Sequence, residues 1–168
     1  MKYIKFDKNK NSDLNIVFIF EDQLSLIQKS VSSGTALDDI RSSIENKVVN
    51  GKAGSINIFS SKMYVNNYYL VGLGIRDELT VQKYEKYLTA ALKQINTFKI
   101  SKISLDITNI KIKDFNLIRG TINEIEKTQY SYRNIVKSSI RECSLKVSST
   151  TDAKQFKSIV SESIAISN

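Results

Sequence analysis

A chain of 168 residues with a 41% hydrophobic fraction can bury a sizeable core as one domain and is too apolar for wholesale disorder. The lone cysteine, Cys143, excludes an intrachain disulfide, which predicts a reducing, cytoplasmic compartment. The charge of +8 invites a nucleic-acid partner, but the lysines are spread along a chain with no Pro or Trp, which fits A+T-rich coding better than a selected binding face.

The N-terminus, Met1 to Lys8, alternates charged and apolar residues and lacks the apolar stretch of a signal peptide. Ile16-Val17-Phe18-Ile19-Phe20 is rich in β-branched and aromatic residues and predicts a buried strand, far short of the ~20 residues that span a bilayer. No membrane partner is expected. Thr35 with Asp38 predicts a helix start, and Leu37, Ile40, Ile44 and Val48 follow on one face. Gly51 and Gly54 bracket a turn before an alternating strand, Ser55 to Phe59. Tyr68 to Val71 predicts the next strand, closed by Gly72-Leu73-Gly74. Thr80 then caps a helix striped by Val81, Tyr84, Leu88, Ala91, Leu92, Ile95 and Phe98. A strand over 102–107, a helix from Asp114 with Phe115, Ile118, Ile122 and Ile125, and a short strand over 144–148 come next. Asp152 opens a last helix with Phe156, Ile159, Val160 and Ser163 inward.

Strands alternating with helices predict a mixed, partly parallel sheet with helices on both faces, an α/β fold. The strand at 68–71, the helix from Thr80 and the strand at 103–107 form a βαβ unit. No linker divides the chain, so residues 1–168 are expected to be one domain. The last helix reaches Asn168 without a C-cap glycine, which leads us to expect a longer protein continuing from here.

Chemistry is sparse. With no histidine, the Ser-His-Asp and Cys-His arrangements and His-based zinc sites are excluded. Cys143 has no His partner and is read as a half-buried structural residue. Carboxylate pairs occur at Glu21-Asp22, Asp38-Asp39, Asp77-Glu78 and Glu124 with Glu126. Adjacent positions on a helix point apart, so these are read as solvated residues rather than ligands. Gly72-Leu73-Gly74 follows a strand as a dinucleotide fingerprint does, but the third glycine position holds Asp77, which would repel a pyrophosphate. Of the tyrosines at 64, 68, 69, 84, 87, 130 and 132, Tyr84 lies on a predicted helix stripe and Tyr68 and Tyr69 in a predicted strand, so most are read as core or sheet-surface residues rather than a stacking signature. No catalytic residue and no metal ligand is assigned, and no binding residue is identified.

The ordered set Tyr69-Leu70-Val71-Gly72-Leu73-Gly74, Asp77-Glu78-Leu79-Thr80, the helix with Ala90 and Ala91, and the strand from Lys102 to Ile107 resembles the N-terminal domain of the leucyl (cytosol) aminopeptidases. Tyr130-Ser131-Tyr132-Arg133 resembles that family's Tyr-x-Phe segment, with Tyr132 in place of Phe, and Ala153 to Asn168 resembles its helix leading to the catalytic domain. Thr150-Thr151-Asp152-Ala153-Lys154 only echoes the family's metal-binding Asn-Thr-Asp-Ala-Glu segment, because Lys154 stands where Glu is needed. The resemblance implies a macrodomain-like, non-catalytic domain that contributes to oligomer assembly and active-site access. Its partner would be a C-terminal catalytic domain of the same chain, holding two divalent metals, Mn or Zn, in a cytoplasmic homo-hexamer that removes N-terminal amino acids from peptides. Two alternatives stay open: a macro-like nucleotide-binding module and a basic DNA-binding domain.

Overall fold

Alternation along Leu14–Ile19 decides the centre of the fold. Leu14, Ile16 and Phe18 point to one side and Val17 and Ile19 to the other, and all five are buried. A strand apolar on both faces needs cover on both, which is the requirement of a parallel sheet between helical layers.

The computed structural model describes residues 4–6, 12–27, 31, 34–60, 66–95, 100–108, 110, 115–135, 142–146 and 158. Its strands are β1 (Ile4–Phe6), β2 (Leu14–Ile19), β3 (Ile56–Phe59), β4 (Asn67–Gly72), β5 (Lys102–Asp106) and β6 (Glu142–Lys146). Its helices are α1 (Thr35–Glu45), α2 (Val81–Ile95) and α3 (Phe115–Ile135). The six strands lie in the order β1-β6-β5-β2-β4-β3. Every neighbouring pair is parallel except β3 with β4. The expected mixed α/β sheet is therefore present, with helices on both faces.

Register carries the two-sided pattern across the sheet. Ile16 sits beside Tyr69 on one flank and Leu105 on the other, and Ile103 and Leu105 align with Cys143 and Leu145. This face packs against Tyr84, Leu88, Ala91, Leu92 and Ile95 of α2 and Ile118, Ile122 and Ile125 of α3. The opposite face, from Val17, Ile19, Tyr68 and Leu70, packs against Ala36, Leu37 and Ile40 of α1 together with Ile27, Val31 and Val49. The βαβ unit runs from β4 through α2 to β5, and β5 lies beyond β2, so this crossover spans the central strand.

Local chemistry fixes the element ends. Thr80 caps α2 as expected, its Oγ1 accepting the Lys83 N–H at 3.3 Å. Asp13 ties the entry of β5 to β2: its Oδ2 accepts the N–H groups of Ser101 (3.0 Å) and Lys102 (2.8 Å).

Some expectations change. Gly34, at φ 135°, holds the N-cap of α1, and Thr35 is the first helical residue with no capping bond from a side chain. Asp38 still lies in the first turn, where its charge suits the helix dipole. The helix ends at Glu45, before Val48 can join its apolar stripe. A turn with Lys47 at φ 58° leaves Val48 61% exposed. The sixth strand begins at Glu142, two residues before the expected start. β1 was not expected, because Lys5 at its centre and Asp7 after it mask a short strand that pairs in parallel with β6. Phe98, Tyr64 and Asp114 lie outside the described residues, as does the predicted last helix apart from Ser158, which is helical. Among the described residues no helix is long and apolar enough to cross a membrane.

Candidate functional site

In an open α/β sheet a ligand crevice forms beyond the carboxyl ends of the parallel strands, where neighbouring connections diverge. Here that edge is made by Phe20-Glu21-Asp22 after β2, by Gly72-Leu73-Gly74 at the end of β4, and by Asp106-Ile107-Thr108 at the end of β5.

The glycines of this edge serve the chain itself. Glu21 N–H donates to the Gly74 carbonyl and Gly74 N–H to the Gly51 carbonyl, each at 2.9 Å. Gly54 N–H reaches the Gly72 carbonyl, Gly72 N–H the Ser55 carbonyl and Leu73 N–H the Ile19 carbonyl, all at 2.8 Å. Backbone donors that could cradle a phosphate are thus bonded to protein oxygens. The packing is equally tight. A methyl group on Gly72 would overlap the Lys52 carbonyl oxygen and the Ser55 hydroxyl, and one on Gly51 would sit 2.7 Å from the backbone of Phe20 and Glu21. Gly72-Leu73-Gly74 ends a strand and interlocks with the 51–55 turn.

Arg76 closes the same edge. Its guanidinium lies over the Phe20 ring, 5.4 Å from the centroid, and donates to Gln23 Oε1 at 2.6 Å. Its backbone N–H donates to Asp22 Oδ1 at 3.3 Å. Two of the carboxylate pairs, Glu21-Asp22 and Asp77-Glu78, therefore flank one pinned junction. Asp38-Asp39 lies on α1 across the sheet, with Arg41 Nη1 at 3.7 Å from Asp38. Among the described residues no group of three or more acidic or thiol side chains is arranged to hold a metal.

Asp106 was missed in the sequence. It is buried at the end of β5, where its Oδ1 accepts the Thr108 N–H at 3.0 Å and the Thr108 hydroxyl at 2.5 Å. The Asp-x-Thr spacing is the signal for such a turn. Also missed was the polar contact between α2 and α3. Thr89 Oγ1 lies 2.5 Å from Glu124 Oε2, and Lys127 Nζ donates to Glu124 Oε1 at 2.7 Å. Burial pushes the Glu124 carboxyl upward, but the bonds from Lys127 and Thr89 and the charges of Lys127 and Lys93 outweigh it, holding it below the usual value. A carboxyl lowered by folding stabilises the fold above its unfolded value, and that contribution is lost as the pH falls through its folded one.

Cys143 is fully buried rather than half-buried, and burial pushes its thiol up, away from the reactive thiolate. Tyr68, Tyr69 and Tyr84 are buried and offer no free face for base stacking, while Tyr87 is half-buried against the core. The side chains of Tyr130 and Tyr132 on α3, and all of residues 150–154, lie outside the described residues. The Tyr69 hydroxyl is buried without a hydrogen-bond partner, and burial pushes it up to about 12. An unsatisfied buried hydroxyl costs roughly 1–3 kcal/mol. Tyr69→Phe is therefore expected to raise the thermal midpoint by a few degrees, at about 2–4 °C per kcal/mol for a chain of this size, as calorimetry would show.

The sequence matches the family model described as the N-terminal domain of the cytosol aminopeptidase family over residues 16–139. No curated protein matches the chain. The fold is shared with a mutant leucine aminopeptidase from tomato at a TM-score of 0.64 and 14% identity, covering 98% of this chain and 35% of the tomato chain. It is also shared with the bottromycin maturation enzyme BotP in complex with Mn, at a TM-score of 0.57 and 13% identity, covering 92% of this chain and 29% of that one. A second BotP structure aligns at a TM-score of 0.55 and 14% identity, over 92% of this chain and 30% of BotP. This chain spans about a third of the length of each.

Proposed function

Since the chain belongs to the cytosol aminopeptidase family through its N-terminal domain, we propose that it is the non-catalytic domain of a dinuclear-metal leucyl aminopeptidase. It works beside a catalytic domain of the same polypeptide, which removes N-terminal amino acids from peptides in the cytoplasm. The two divalent metals, Mn or Zn, belong to that catalytic domain. This domain contributes contacts to a homo-hexamer and shapes access to the active sites.

The observation that carries the reading is the ratio of coverages: 98% of this chain matches only 35% of the tomato enzyme. What remains of such an enzyme is where the metal chemistry belongs. The bonded carboxyl ends of β2 and β4 support the same reading over a nucleotide-binding module, because their glycines and amides are bonded to the chain.

An antibody against residues 16–139, used on cells of the source organism, tests the proposal. We expect it to detect a polypeptide about three times as long as this chain, co-purifying with metal-dependent leucyl peptidase activity. A 19.0 kDa species that purifies without peptidase would refute it.

A second reading, contact with DNA, is favoured by one observation. Lys83, Lys86 and Lys93 are all exposed on α2 at spacings that share a face. Phosphate contacts weaken steeply with salt, so an absence of DNA association even in low salt removes this reading.

A further inference from the structure

The contact between α2 and α3 holds one hydroxyl between two acceptors. Thr89 Oγ1 lies 2.5 Å from Glu124 Oε2 and 2.8 Å from the carbonyl oxygen of Glu85, one turn earlier on its own helix. A threonine hydroxyl has a single proton, so it cannot donate to both at once. While Glu124 is ionised it offers only lone pairs, and the Thr89 proton must point to it. The Glu85 carbonyl tolerates this, because in a helix it also accepts the N–H four residues on.

We propose that Thr89 is a two-way tie: when Glu124 takes up a proton at Oε2, the new O–H donates to Thr89 Oγ1, and the Thr89 hydroxyl turns to donate to the Glu85 carbonyl. The proton comes from solvent, no heavy atom has to move, and the link between the helices changes direction without breaking. Only the pairing with Lys127 is lost. The charged groups around Glu124 are Lys93 on α2 and Lys127 on α3, with Glu85 of α2 acting on Lys127 and packed against Gly120. Lys127 is largely exposed while the Glu124 side chain is only 11% exposed, so solvent reaches the pair from the Lys127 side. The device lets α2 and α3 stay tied in acid, where an ordinary carboxylate bridge comes apart.

The test is a carbon-13 NMR titration of the Glu124 side-chain carboxyl in the full chain, in Thr89→Val and in Lys127→Met. The hydroxyl bonds both protonation states but bonds the charged carboxylate more strongly, so Thr89→Val should raise the Glu124 midpoint by about half a pH unit or less, whereas Lys127→Met should raise it by roughly one. A rise of about one pH unit or more in Thr89→Val would mean that Thr89 bonds only the carboxylate, and would overturn the proposal. Should Thr89→Val fail to fold, the unsubstituted chain decides. Its Thr89 χ1 coupling constants should stay constant through the Glu124 titration, and a change of rotamer that follows it overturns the two-way tie.

Discussion

Gly72→Ala is expected to lower the thermal midpoint of the purified chain by about 6–12 °C, the equivalent of roughly 3 kcal/mol. Conformational freedom is not the reason, since Gly72 is the last residue of a regular strand. Space is. The added methyl would overlap the Lys52 carbonyl and the Ser55 hydroxyl and press on Gly51, and backbone cannot swing aside as a side-chain tip can. To make room the 51–55 turn would have to lift, losing the bonds from Gly54 to Gly72 and from Gly74 to Gly51. Gly34→Ala is the control. It meets nothing within 4 Å and carries only the strain of φ +135°, so it should be the milder change. Equal midpoints for Gly72→Ala and the unsubstituted chain would show that the loops at this edge are not interlocked.

Tyr84→Ala should cost about 3–5 kcal/mol in a urea titration, and Tyr84→Phe only about 1. The ring is fully buried on α2 and meets Phe18 of the central strand with centroids 5.1 Å apart at 57°. Removing it opens a cavity where α2, α3 and the sheet converge. The hydroxyl matters less, for a reason visible in its partner. Thr121 Oγ1 donates to the Leu117 carbonyl at 2.7 Å, so in the 3.0 Å contact between Tyr84 and Thr121 the tyrosine is the donor. Without the phenol oxygen Thr121 keeps its own bond and loses only an incoming one. A Tyr84→Phe loss as large as that of Tyr84→Ala would reverse this assignment.

The fold was legible wherever one period dominated a long enough segment. Leu14 to Ile19 and the stripe of Tyr84, Leu88, Ala91, Leu92 and Ile95 announced the central strand and the helix that covers it. Thr80 gave its cap away because the capping bond is local. Val48 misled because it keeps the helical spacing after the helix has stopped. The stop comes from a left-handed Lys47, which no apolar pattern encodes. β1 escaped because three residues centred on Lys5 carry too short a pattern, and its strand character comes from pairing with a partner over 130 positions away.

The candidate site was legible in part. The failed fingerprint showed that Gly72 and Gly74 belong to a turn. It could not show that Gly51 and Gly54, from another loop, fill the space a ligand would need. Thr89 and Glu124 are far apart in sequence and meet only through the rotation of two helices about their axes, which period alone leaves open. Asp106 looked like one carboxylate among many until the end of β5 placed it against Thr108.

The peptidase activity of the chain by itself separates a non-catalytic domain from an enzyme most directly. Purified residues 1–168, given Mn²⁺ or Zn²⁺ and a leucyl anilide, should release product no faster than buffer with metal alone, because the described carboxylates do not converge on an ion. Metal-dependent turnover that co-elutes with the chain and disappears when the chain is unfolded by heat would contradict the assignment of this domain as non-catalytic.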